Sequence, residues 1–112
     1  MQFTMTTTTG LERRIEVTIP HTRVAGDVQR KLQEIARTAR IKGFRPGKVP
    51  FPVVQRQFGG QAHSDTVSEL IREGYSHAVN QEKLRPASDP RIEPISIEPG
   101  TDLRFAALIE VM

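Results

Sequence analysis

The stretch LRFAALIEV at residues 103–111 carries the strongest strand pattern in this 112-residue sequence. Every second residue from Leu103 onward is apolar, which is typical of a β-strand with one buried face. A second alternating stretch, RIEVTI at residues 14–19, is ended by Pro20. We expect these two strands to pair, so that the sheet brings the two ends of the chain together.

The segment after Pro20 predicts a long amphipathic helix. Its apolar residues recur at steps of three or four, which places them on one helical face: Val24, Val28, Leu32, Ile35 and Ala39. Thr22 is suited to cap the first turn, because its hydroxyl can accept a backbone N–H. We expect the helix to end near Ile41, with Gly43 in the left-handed conformation that often follows a helix.

Two further helices are predicted after a loop at residues 42–52 that is rich in proline and glycine. Pro52 suits the first position of a short helix, because its missing N–H is not needed there. Gly59-Gly60 would close that helix. A third helix is expected from about residue 64 to residue 81, and the pattern TVSE at residues 66–69 offers a capping box at its start.

The chain between residues 85 and 100 contains four prolines, which confine it to edge strands and turns. The order of strand, helices and strands predicts an α+β domain. We expect an antiparallel sheet with the long amphipathic helix and the further helices packed on one face. The loop between the helices would form an exposed helix–loop–helix tip.

Composition and charge limit the classes of function. The chain has no cysteine, which excludes disulfides, thiolate nucleophiles and cysteine-bound metals. No apolar run approaches the roughly 20 residues that span a bilayer. Residues 1–58 hold eleven Lys/Arg and four Asp/Glu, whereas residues 59–112 hold five and nine. This uneven charge favours an anionic partner for the basic half, although a solvated helix face is the alternative interpretation.

The sequence shows no catalytic pattern. His21, His63 and His77 lie at no short metal-ligand spacing, and we expect His21 and His63 to be surface or capping residues. No G-x-S-x-G motif is present to activate a serine. The stretch GFRPGK at residues 43–48 lacks the spacing of a phosphate-binding loop. We therefore predict no catalytic residue, no metal and no cofactor.

The loop at residues 43–50 is the remaining candidate for function. Two glycines relax its backbone and two prolines stiffen it. Such a loop can hold Phe44 and Arg45 outward with little conformational freedom to lose on docking. Arg45 would then bind a phosphate or a carboxylate through its planar fork. The alternative is that Phe44 packs beneath the loop as a core residue and Arg45 is merely solvated.

The same stretch, GFRPGKVP, matches the signature G-F-R-x-G-x-x-P and resembles trigger factor, the bacterial ribosome-associated chaperone family. Flanking residues are similar too, including Gly10-Leu11, Phe58-Gly59 and Pro86-Ala87. The resemblance covers essentially all 112 residues. Pro46 is a departure, since many relatives carry a basic residue there, and its presence removes one possible salt bridge.

The resemblance implies that residues 1–112 are an N-terminal ribosome-binding domain of a longer cytoplasmic chaperone. It implies two partners: the large ribosomal subunit, through an exit-tunnel ribosomal protein and adjacent ribosomal RNA, and the nascent polypeptide. No membrane partner is implied. The prolyl-isomerase domain of the family is absent from these residues, so we expect a non-catalytic chain.

The implied ribosome-binding residues lie in the signature loop: Gly43, Phe44, Arg45, Pro46, Gly47, Lys48 and Pro50. We expect the basic end of the long helix to support them with Arg37, Arg40 and Lys42. A general basic RNA-binding module without ribosome specificity is the alternative function.

Overall fold

The computed structural model describes residues 2–7 and 10–112, which form two helices and a four-stranded antiparallel sheet. The elements in chain order are β1 (Gln2–Thr7), β2 (Glu12–Ile19), α1 (His21–Thr38), α2 (Phe51–Gln81), β3 (Arg91–Ser96) and β4 (Leu103–Glu110). The strands lie in the order β1-β2-β4-β3. The predicted α+β class is confirmed.

The centre of the sheet is the predicted pair of alternating strands. β2 runs antiparallel to β4, with Ile15 opposite Ala107 and Ile19 opposite Leu103. Because side chains alternate between the two faces of a strand, the odd-numbered apolar residues of both strands share one face. That face is buried, and Phe105 has no exposed surface. The expected pairing of the two ends of the chain is confirmed.

The two edge strands differ in how well the sequence predicts them. β3 lies at one edge and carries Pro94, and its register with β4 shifts between Pro94 and Ser96. This confirms that the prolines restrict this segment to an edge. β1 forms the other edge and was not expected from the threonine-rich start. Threonine favours strands, and Met5 lies opposite Ile15 and packs against the core.

The predicted ends of α1 were wrong at both sides. The helix begins at His21 instead of being capped by Thr22, because the carboxylate of Asp102 accepts the His21 backbone N–H at 2.8 Å. It ends at Thr38, since Ala39 already adopts an extended conformation (φ −59°, ψ 135°). Gly43 is left-handed, at φ 94°, but it serves a turn in the following loop.

The two helices predicted after the loop are one continuous helix, α2, of 31 residues. Gly59-Gly60 does not end the helix. A glycine in a helix interior lowers helix stability by only about 1 kcal/mol relative to alanine, and the packing of α2 residues before and after the glycines outweighs that loss. The expected capping box at residues 66–69 was also wrong. Thr66 lies inside α2, is fully buried, and its hydroxyl has no hydrogen-bond partner within the described ranges.

Two separate cores divide the molecule along its 60 Å length. The body core lies between the sheet and the C-terminal half of α2, and it includes Val17, Leu70 and Phe105. The helix approaches the sheet closely at Gly74, where an added Cβ would stand 3.0 Å from the Val17 side chain. The tip core lies between the helices near their connecting loop, and its buried members are Leu32, Val49, Val54 and Ala62. The exposed helix–loop–helix tip is therefore an extension with a small core of its own.

The contact between Asp102 and His21 predicts a specific pH dependence of stability. Asp102 accepts hydrogen bonds from the His21 ring Nδ1 at 2.9 Å and from its backbone N–H. These bonds, the ring contact first, lower the pKa of Asp102 below its ordinary value of 3.8. A lowered pKa in the folded state stabilises the protein above the unfolded-state pKa, and this contribution is lost as the pH falls through the folded-state pKa.

We therefore expect Asp102→Asn to be less stable than the wild type at pH 7, and this difference to shrink below about pH 4. Thermal unfolding followed by circular dichroism between pH 2 and pH 7 would measure it. Asp89→Asn, at an exposed aspartate before β3, is the control and should show no such convergence. A constant difference between Asp102→Asn and the wild type at every pH would contradict the assignment.

The C-terminus of α2 predicts a stabilising substitution. Lys83 has φ 53°, and the bonds from Leu84 N–H to Val79 O and from Lys83 N–H to Asn80 O form a Schellman motif. Glycine adopts this left-handed conformation without the steric cost that lysine bears. We expect Lys83→Gly to raise the free energy of unfolding by about 0.5–1 kcal/mol in chemical denaturation. Glu82→Gly, at the neighbouring position with φ −90°, should instead destabilise the helix end.

Candidate functional site

The loop between α1 and α2 is built from two successive β-turns. The Phe44 N–H donates to the Ile41 carbonyl at 3.0 Å, and the Lys48 N–H donates to the Arg45 carbonyl at 2.9 Å. Gly43 and Gly47 are the third residues of these turns, with φ of 94° and 79°. Type II turns require a left-handed residue at this position, and the second turn has the favoured proline before it. The left-handed backbone conformation of the two turns therefore explains both glycines of the predicted site.

Both ends of the loop are fixed to the helices. Ala39 and Val49 are each only 7% exposed, and between them the chain is exposed except for the half-buried Ile41. The backbone at Gly47 lies close to α1, since a Cβ there would stand 3.4 Å from the Arg37 carbonyl oxygen. The loop is thus held in place while most of its side chains face solvent.

Phe44 and Arg45 lie at the exposed part of this loop. Phe44 is 43% exposed, which makes it one of the few exposed large apolar residues on the described surface. Arg45, Pro46, Lys48 and Pro50 are exposed as well. The alternative in which Phe44 is a core residue is therefore wrong, and the structure exposes both Phe44 and the next residue, Arg45.

The tip carries an uncompensated positive charge. Residues 35–64 contain six Lys/Arg and no Asp/Glu. All six are exposed: Arg37, Arg40, Lys42, Arg45, Lys48 and Arg56. None of them forms an ion pair with a carboxylate of residues 2–7 or 10–112.

Basic residues closer to the sheet behave differently. The Lys31 Nζ lies 2.7 Å from a Glu69 carboxylate oxygen, and Arg30 pairs with Asp27 at the same distance. Arg30 and Lys31 are therefore neutralised by carboxylates, whereas the positive charge of the tip is not. Arg56, on α2, belongs to this surface and was missed by the sequence analysis. The absence of acidic residues up to residue 64 was the signal that could have found it.

The histidines do not form a site with the loop. His63 was expected to precede a helix but lies inside α2, where its Nε2 is buried with no hydrogen-bond partner in the part of the chain that the structure describes. It borders an apolar groove of about 510 Å³ between the helices, lined also by Val28, Leu32 and Gly60. Within residues 2–7 and 10–112, no three His, Asp or Glu side chains lie close enough to hold a metal ion.

Neither α1 nor α2 has a stretch long and apolar enough to cross a lipid bilayer. The described ranges thus define an α+β domain that presents an apolar and basic loop at the end of a helical hairpin. Against known proteins, the family model described as bacterial trigger factor protein (TF) matches residues 1–112. The trigger factor of Alcanivorax borkumensis is 47% identical over 111 residues, which is 99% of this chain and 25% of that protein.

Two further relatives give the same result. The trigger factor of Saccharophagus degradans is 46% identical over 111 residues, covering 99% of this chain and 25% of its own length. The trigger factor of Halorhodospira halophila is 44% identical over 112 residues, which is 100% of this chain and 26% of that protein. The chain therefore belongs to the bacterial trigger factor family. It spans about a quarter of the length of these relatives.

Proposed function

We propose that this chain is the ribosome-docking domain of a nascent-chain chaperone. It would anchor the chaperone beside the polypeptide exit of the large ribosomal subunit, in the cytoplasm, to assist the folding of newly made proteins. Residues 1–112 would act as one domain at the N-terminus of a longer protein. Membership of the trigger factor family supports the chaperone role, and the exposed basic tip is the observation that carries the docking role.

The geometry of the loop supports this function. Phe44 offers apolar surface that a ribosomal protein can cover, and Arg45 beside it can bind a phosphate or a carboxylate in a bidentate manner. The two turns fix the backbone, so little conformational entropy is lost on docking. A contact of this small size gives about micromolar affinity, roughly −8 kcal/mol. Such affinity suits a factor that cycles on and off translating ribosomes.

The charge of the tip supports a partner rich in phosphate, such as ribosomal RNA. Six free cations attract a polyanion without internal competition from carboxylates. Binding to phosphates releases counterions, so affinity should fall with salt by a logarithmic slope of about 0.9 for each phosphate contacted in a duplex. In this proposal Phe44 and Arg45 supply specificity, and Arg37, Arg40 and Lys42 supply attraction and orientation.

The alternative is a general RNA-binding module, which the same free charge favours. Titration of a labelled chain with large ribosomal subunits and with an unrelated structured RNA, at one salt concentration, separates the two functions. We expect the subunit to bind at least about tenfold more tightly, because a ribosomal protein can bury the apolar surface of Phe44 whereas the paired bases of an unrelated structured RNA offer it little to stack on. Equal affinities, unchanged in Phe44→Ala, would favour the general module.

The proposal includes no enzymatic activity for these residues, since prolyl isomerisation in this family is assigned to a domain outside them. A refolding assay limited by proline isomerisation tests this directly. The chain should leave the slow refolding rate unchanged at concentrations where a prolyl isomerase accelerates it. Acceleration that depends on chain concentration would contradict a purely docking role.

A further inference from the structure

Val49 is the buried residue within the signature loop. It is 7% exposed, whereas Lys42 to Lys48 and Pro50 on either side of it are exposed. Its side chain belongs to the tip core together with Leu32 and Val54. Val49 is thus buried at the end of the docking loop, where direct contact with a partner is not its main role.

The position of Val49 relative to α2 indicates a different role. Pro50 is the N-cap of α2, so Val49 precedes the cap and Val54 is the fourth residue of the helix. Apolar residues at these two positions form a hydrophobic staple, which fixes the angle at which a chain enters a helix. Val54 is fully buried and Val49 nearly so, in the same cluster.

We propose that Val49 is a positioning residue, which together with Val54 holds the loop in its docking conformation. This inference rests on the proposed function. Arg45 and Lys48 are joined by the second turn, and Lys48 adjoins Val49 directly, so the staple determines where that turn lies. Without it, the loop would sample other conformations, and the binding-competent fraction would fall.

Val49→Ala tests the proposal because it removes two methyl groups and no polar atom. We expect its affinity for large ribosomal subunits to fall about threefold to tenfold, because the loosened loop must be ordered again on binding. The slope of affinity against salt should stay that of the wild type, because every cation is still present. Val49→Ile, which keeps the apolar side chain, should bind within about twofold of the wild type.

Hydrogen exchange of the free chain supplies a readout independent of binding. In Val49→Ala, the turn amides of Phe44 and Lys48 should exchange faster, while amides of the body core keep their protection. Val67→Ala is the matched control, since it removes the same atoms from the body core. It should lower global stability and leave both the loop amides and the affinity unchanged.

The outcomes separate this inference from the proposed function. If Phe44→Ala weakens binding but Val49→Ala binds like the wild type, the positioning role is wrong and docking through the loop stands. If Val49→Ala loses protection through α2 up to Phe58, Val49 is only a structural residue of the tip. If Phe44→Ala/Arg45→Ala itself binds like the wild type, the loop is not the docking site, and the positioning role fails with it.

Discussion

A Phe105→Ala variant is expected to lose about 3–5 kcal/mol of its free energy of unfolding. Phe105 is the largest wholly buried side chain among the residues whose burial the structure describes, and it lies on β4 at the centre of the sheet. Its ring faces α2 at Gly74, where an added Cβ would stand 3.2 Å away. Because Gly74 has no side chain to fill the space, removal of the ring leaves a cavity between the sheet and the helix.

Urea denaturation followed by circular dichroism would measure this loss. Small domains are stable by only about 5–15 kcal/mol, so the variant should be close to unfolded at room temperature or markedly shifted in its midpoint. Phe44→Ala is the matched control, since the same atoms are removed from an exposed position. It should change the free energy of unfolding by less than about 1 kcal/mol. Equal stability of the two variants would show that Phe105 does not anchor the sheet to α2.

The sheet illustrates what local patterns can predict. β2 and β4 were predicted because every second residue in each is apolar, among them the buried Val17 and Phe105, and pairing the two strands places both apolar sets on one face. The pattern could not predict that Gly59-Gly60 would remain helical. On either side of the glycines, Val54 and Ala62 of α2 lie in the tip core together with Leu32 of α1, and this packing stabilises the helix there. Such contacts join residues far apart in the chain, so no local window contains them.

The start of α1 also depends on a contact between residues far apart in the chain, in this case a single hydrogen bond. Thr22 was a sound candidate for a cap by residue type, but the acceptor is Asp102, 81 positions away from His21. In the candidate site, the signature residues were found from the sequence because glycine and proline reveal the turns. The exposure of Phe44 and the burial of Val49 could not be read from the sequence, because both depend on which side of the loop faces the tip core.

The combined variant Phe44→Ala/Arg45→Ala is expected to weaken binding to the large ribosomal subunit at least about a hundredfold. Phe44 is 43% exposed, which corresponds to roughly 85 Å² of a phenylalanine's area. Its burial by a partner is worth about 2 kcal/mol. A charge-assisted hydrogen bond from Arg45 adds about 1.5–3 kcal/mol. Since each 1.4 kcal/mol is a factor of about ten, the sum exceeds a hundredfold even after allowance for non-additivity.

Co-sedimentation with purified large subunits, at several salt concentrations, would measure the effect. The control is Leu11→Ala/Arg72→Ala, which also removes an exposed apolar side chain and an arginine that has no ion pair among residues 2–7 and 10–112, but outside the tip. It should bind like the wild type, because neither residue belongs to the loop. The two variants carry the same net charge, so a difference between them cannot come from long-range attraction alone. If both variants weaken binding equally, the tip has no special role, and general electrostatic attraction by the whole chain explains the interaction.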